Sequence, residues 1–228
     1  MIQSRRNRAM ALVIATLLMS LLVGGCIGMP QPGESLPPTT VPGGDEDIRP
    51  VAGLGRLRGP WHAEPFVPDP AIVAAADQEC RRGGFGRALA PDQRLRVADV
   101  RGASRLTIVY ASDDSGYAVC ELEMLADGGL TQTGGAMSAG GGPAVAIGPD
   151  EAIPRGGGGT HGPEGEAWYS VHGELGVGVA QVRARSRGRV AVAAVADGWF
   201  SAWWPGSDRD LVIEAFAPDG SKLGEAPW

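Results

Sequence analysis

Short segments that alternate apolar and polar side chains, cut by turn dipeptides, run through most of this chain and limit it to a sheet-built fold. Leu106, Ile108 and Tyr110 alternate with Thr107, Val109 and Ala111. After the turn residues Asp113-Asp114-Ser115-Gly116, Tyr117 to Leu125 alternates again, so the two segments read as a hairpin. Leu95–Val97 with Val100, Trp168–Val171, Val190–Val195, Trp199–Trp204 and Leu211–Phe216 read as further strands. Leu175, Val177 and Val179 alternate with Gly176 and Gly178 and are placed with them. Asp127-Gly128, Asp197-Gly198 and Asp219-Gly220 supply tight turns. The expectation is a mostly β chain, a single β-sandwich or barrel-like domain.

One helix precedes the strands. Asp69 can cap it, Pro70 suits its first position, and over 71–82 Ile72, Val73, Ala76 and Cys80 share one face. In the following hairpin Ala118, Cys120, Leu122 and Met124 share a strand face opposite Glu121 and Glu123. Cys80 and Cys120 thus both point toward a core, either as a disulfide or as two buried thiols. The export signal described next favours the disulfide.

Residues 1–25 read as a removable signal peptide. Arg5, Arg6 and Arg8 form a basic start, and Ala9 to Val23 is apolar apart from Thr16 and Ser20. That run is shorter than the about 20 residues a spanning helix needs. It ends in Val23-Gly24-Gly25-Cys26, which resembles the lipobox of bacterial lipoproteins. The resemblance implies that Cys26 is lipidated and becomes the new N-terminus, on a membrane's extracytoplasmic face. Ser4-Arg5-Arg6 also resembles a twin-arginine start, without the usual Phe-Leu after it.

Residues 26–68 are rich in Pro and Gly and carry the acidic cluster Asp45-Glu46-Asp47, the composition of a disordered tether. Trp61 and Phe66 near its end are candidates to dock back on the domain, expected over 69–228. Within that domain, residues 134–163 hold eleven glycines and read as a mobile loop, with a short strand near Ala144–Ile147.

Function classes are narrowed mainly by exclusion. Removing residues 1–25 leaves 17 basic and 26 acidic side chains, a net charge of −9, a poor surface for nucleic acid. His62, His161 and His172 are scattered and make no zinc spacing, so no metal or other cofactor is expected. Gly156–Gly159 lacks the ending of a phosphate loop, and Ser104, Ser112 and Ser170 lack a nucleophile-elbow context. Asp113 and Asp114 are explained by their turn, and Glu121 with Glu123 by a solvated strand face.

The strongest local feature is Gly198-Trp199-Phe200-Ser201-Ala202-Trp203-Trp204-Pro205-Gly206. Extended, it sets Phe200, Ala202 and Trp204 on one side and Trp199, Ser201 and Trp203 on the other. One side is core. The other is either covered as well, which small β domains favour, or leaves Trp199 and Trp203 free to stack on a sugar or peptide.

With Asp99-Val100-Arg101-Gly102, the Tyr110 strand and the Cys120 strand, the segment from Val195 to Gly206 resembles a group of actinobacterial exported or membrane-attached proteins. In that group a strand pair ends in a similar Gly-Trp-Phe-x-Ala-Trp-Trp-Pro run. The likeness covers roughly residues 77–217 and implies a shared fold and an envelope location, with no known activity. The expected function is a non-enzymatic lipoprotein that binds or scaffolds an envelope protein or glycan. A regulatory module acting on a membrane protein and a cell-wall hydrolase stay open as alternatives.

Overall fold

Helix α1 spans Pro70–Arg81 and starts at the expected cap, with Asp69 Oδ1 accepting from the Ala71 amide at 2.8 Å. It buries Ile72, Ala76 and Cys80, one stripe at helical spacing. The computed structural model describes residues 57–82, 89–112, 116–139, 146–161, 166–206 and 210–228. The signal segment, Cys26 and the tether as far as residue 56 lie outside the described residues. So do Asp113-Asp114-Ser115 and Gly140–Val145, which take in the start of the strand expected near Ala144.

Among the described residues, twelve strands form three antiparallel sheets. In the first, β1 (Arg94–Val100), β2 (Arg105–Ala111), β3 (Gly116–Met124) and β4 (Leu130–Ala139) lie in chain order. The second has the order β5 (Ala152–His161), β6 (Ala167–Leu175), β10 (Trp199–Pro205), β9 (Ala194–Ala196). The third has the order β12 (Lys222–Pro227), β11 (Leu211–Phe216), β7 (Gln181–Ser186), β8 (Arg189–Val192). The fold is mostly β and sandwich-like, as the alternation predicts.

The layers follow from which side chains alternate. Leu106, Ile108, Tyr110, Ala118, Cys120 and Leu122 turn one face of the first sheet to α1 and share a buried cluster with Ile72, Ala76 and Cys80. Ile108 pairs with Cys120 in register, so Cys120 lies in mid-sheet where the helix crosses. There it is disulfide-bonded to Cys80 across a sequence separation of 40. A loop of that length corresponds to roughly 3–4 kcal/mol of unfolded-state constraint.

The other face of the first sheet carries Val97, Val109, Ala111 and Val119 into contact with Trp199 and Ala194 of the second. The opposite face of the second sheet carries Tyr169, Val171, Phe200, Ala202 and Trp204 against Val182, Ala184, Leu211 and Ile213 of the third. The second sheet is therefore a middle layer, and β10 is covered on both faces.

Several regions differ from the sequence reading: β7 and β12 are not among the expected strands, and the expected strand Val190–Val195 is divided between β8 of the third sheet and β9 of the second. The glycine-rich stretch 134–163, expected to be a loop, contains the end of β4 and all of β5. Glycine there removes side chains rather than order: Gly156–Gly159 pair with His172, Val171, Ser170 and Tyr169 of β6 in continuous register. Gly176 to Val179 is a turn, with Val177 98 % exposed. Gly176 and Gly178 donate to Glu151 O and Pro149 O at 2.8 and 2.7 Å, and a side chain at Gly176 would collide with the Gly148 and Pro149 carbonyls. Finally, the folded part begins before Asp69. Leu57 is fully buried, Trp61 Nε1 donates to Trp203 O at 3.0 Å, and the Phe66 amide donates to Val100 O at 2.7 Å.

Candidate functional site

The facing sides of the first two sheets are not purely apolar. On β6 the residues that alternate with the apolar Tyr169 and Val171 are Trp168, Ser170, His172 and Glu174, and β10 sets Ser201 and Trp203 beside them. The first sheet answers with Asp99, Arg105, Thr107, Tyr117 and Glu121. The result is a polar layer inside the domain, with Ser170, His172 and Ser201 buried.

Its centre is a hydrogen bond from Ser170 Oγ to Glu121 Oε1, 2.8 Å long. Arg105, over the Trp168 ring at 4.9 Å, lies beside this pair and reaches Thr160 Oγ1 at 3.4 Å. The glycine opposite Glu121 in β4 is Gly134, and any side chain on it would run into Glu121 Oε2. His172 lies one pleat further along β6, its ring 5.0 Å from that of Tyr117, whose hydroxyl donates to Arg155 O at 2.8 Å. A methyl on Gly156 would meet the Tyr117 oxygen and come within 2.6 Å of His172 Nε2. Two glycines of the expected loop thus make room for two buried polar groups.

Burial also sets the charge states. Desolvation lowers the His172 pKa from 6.5 to about 4, so the ring is neutral at neutral pH. Burial likewise pushes the Tyr117 hydroxyl up, against the lowering charge of Arg155. Asp99 is raised to about 6 because desolvation outweighs the attraction of Arg101. The two form a fully buried ion pair at 2.8 Å. Arg101 also donates to Ala63 O at 2.6 Å and to Val192 O at 2.5 Å, so one guanidinium ties the segment before α1 to β1 and β8.

An acid, a serine and a histidine in one layer invite comparison with a nucleophilic triad, but their geometry differs. The serine gives its proton to Glu121, whereas acyl transfer needs the histidine as the base. The cavity bordered by Arg105, Glu121, Trp168, Ser170 and Trp203 measures about 10 Å³, too small for a substrate. The arrangement holds two sheets in register. Among the described residues no group of three or more His, Cys, Asp or Glu is disposed to hold a metal ion.

Trp199 and Trp203, the expected stacking pair, are 7 % and 3 % exposed. Trp199 packs against Tyr117 with ring centroids 5.8 Å apart, and Trp203 Nε1 donates to Asp99 O at 3.3 Å. They offer no surface to a sugar or peptide, because the first sheet covers the face that strand parity left undecided. Glu121 also departs from expectation: it faces the second sheet, not solvent. The sequence signal for the layer was the run Trp168-x-Ser170-x-His172, a polar face that reads as a wet one unless a second sheet is known to cover it.

Among the described residues, two accessible hollows lie elsewhere. A groove of about 440 Å³ opens between the start of β5 and β12, floored by Ile153, Ile213 and Leu223 and bordered by Asp150, Glu151 and Glu225. A second hollow of about 340 Å³ lies where the chain enters α1, lined by Phe66, Val67, Ile72 and Val100. Compared with protein-family models, curated proteins and solved structures, the chain matches none.

Proposed function

We propose that this chain is a cell-envelope lipoprotein, held on the extracytoplasmic face of a membrane by lipid on Cys26, and that its β domain is a non-enzymatic module that binds or scaffolds another envelope component. The observation that carries the location is the pairing of an exported-type N-terminus ending in Val23-Gly24-Gly25-Cys26 with a Cys80–Cys120 disulfide in the core. Disulfides persist in extracytoplasmic compartments and are rare in the cytosol. Among the described residues no helix is long and apolar enough to cross a membrane, and a cysteine carrying two or three acyl chains anchors stably at about 0.8 kcal/mol per buried methylene.

A binding role is supported over a catalytic one by where the polar chemistry sits. Glu121, Ser170 and His172 are enclosed between sheets, while the open groove at β5 and β12 offers an apolar floor and carboxylates with no His, Ser, Cys or Lys among its lining residues. The test is metabolic labelling with an alkyne fatty acid in the source organism or a lipoprotein-processing host. The wild-type chain takes up label and fractionates with membranes, and Cys26→Ser takes up none. Equal labelling of both would contradict the anchor.

A further inference from the structure

We infer that the groove between β5 and β12 receives an extended peptide segment of a partner protein, one that alternates basic and apolar side chains. The inference deepens the reading of the domain as a binding module and rests on it.

The groove lies where the second and third sheets end side by side. β5 is the outermost strand of the second sheet and β12 the outermost strand of the third, and each hydrogen-bonds to one neighbour among the described strands. An edge of this kind accepts an added strand, whose main chain pairs with the edge while alternate side chains enter the adjoining hollow. The hollow, at about 440 Å³, is within the size range of ligand sites. Its floor is the open end of the core between the two sheets. Ile213 and Ala215 are buried there, and Leu223 packs on the same cluster.

Charge selects the occupant. Three carboxylates border the groove, and no Lys, Arg or His is among its lining residues. Asp150 and Glu151 are exposed, and Glu225 keeps 54 % of its side chain in solvent while paired with Lys222. Burying an acidic segment against these groups would cost its desolvation with no partner, whereas basic side chains on the outward positions would pair with them. A glycan is disfavoured because no aromatic ring lines the groove. A second copy is disfavoured by the net charge of −9 after removal of residues 1–25.

The experiment uses the detergent-solubilised full chain and fluorescein-labelled octapeptides of alternating Lys and Val or alternating Glu and Val, read by fluorescence polarisation at physiological salt. The Lys-Val peptide binds and the Glu-Val peptide does not. The double variant Glu151→Lys with Glu225→Lys weakens binding at least ten-fold. Glu64→Lys, next to Ala63, whose carbonyl accepts from Val192 of β8 at the opposite edge of the third sheet, leaves it unchanged. Equal binding of the two peptides, an equal loss from Glu64→Lys, or no binding by the Lys-Val peptide would overturn the inference. Binding of an added muropeptide mixture or of lipid vesicles in its place, abolished by the same double variant, would assign the groove to another ligand and equally overturn it. Fatty-acid labelling of Cys26 in the same preparation separates failure of the groove from failure of the envelope reading.

Discussion

Ser170 and Glu121 join the first sheet to the second through a 2.8 Å hydrogen bond between residues 49 apart in sequence. Gly134, paired with Glu121 in β4, leaves room for its carboxylate. The bond is charge-assisted and set among side chains, so it stabilises more than an exposed pair would. Ser170→Ala is expected to cost about 1.5–3 kcal/mol in denaturant unfolding. A loss below about 0.5 kcal/mol would mean that the carboxylate finds water equally well.

Acid should act through His172. Its folded pKa of about 4 lies below the ordinary 6.5, so between those values the unfolded chain binds the proton and the native chain does not. Stability is then lost as pH falls from 6.5 to about 4. Asp99 works in the opposite sense: its pKa is raised from 3.8 to about 6, so the native chain binds the proton first and gains relative stability over that interval. Asp99 titrates alike in wild type and in His172→Gln, so the difference between the two proteins isolates the histidine. Over the full range, wild type should lose up to roughly 3 kcal/mol relative to His172→Gln, at about 1.36 kcal/mol per pKa unit. Parallel pH profiles for the two proteins would contradict the burial of a neutral ring.

The glycines of β5 should not be equivalent. Gly156→Ala forces a methyl between Tyr117 and His172, while a methyl on Gly158 meets nothing within 4 Å. Overpacking costs about 1–3 kcal/mol, so Gly156→Ala should lower the melting temperature by several degrees and Gly158→Ala should leave it nearly unchanged. Replacing 134–163 with a short linker removes all of β5 and should abolish cooperative unfolding.

The four rings of β10 should all matter. Trp199, Phe200, Trp203 and Trp204 are 7, 0, 3 and 2 % exposed, two against the first sheet and two against the third. Truncation of each to alanine should cost roughly 3–5 kcal/mol. A mild effect confined to Trp199 and Trp203 would mean that the first sheet does not cover them.

What the sequence made legible was local. Asp69-Pro70 and an apolar stripe announce α1. Alternation announces the β2–β3 hairpin, and the parity of Cys80 and Cys120 puts both sulfurs in one layer. What it hid depends on residues far away. Glycine erases the alternation that would mark β4 and β5, and the reason for Gly134 and Gly156 is the bulk of Glu121, Tyr117 and His172 on other strands. β12, Lys-Leu-Gly-Glu-Ala-Pro, has too little apolar pattern to read as a strand. Strand parity divides the β10 rings between two faces, but the cover over Trp199 and Trp203 comes from residues about a hundred positions earlier. For the same reason Glu121 read as part of a solvated strand face, although Ser170 of the second sheet meets it.

Intact-mass spectrometry of the membrane-extracted, alkylated but unreduced protein tests the proposed lipid anchor on Cys26 and the Cys80–Cys120 disulfide at once. The predicted spectrum shows a chain starting at Cys26, heavier than its residues by two or three acyl groups with glycerol, and carrying no alkyl label on Cys80 or Cys120. A chain retaining residues 1–25, an unmodified Cys26, or two alkylated thiols at Cys80 and Cys120 would contradict it.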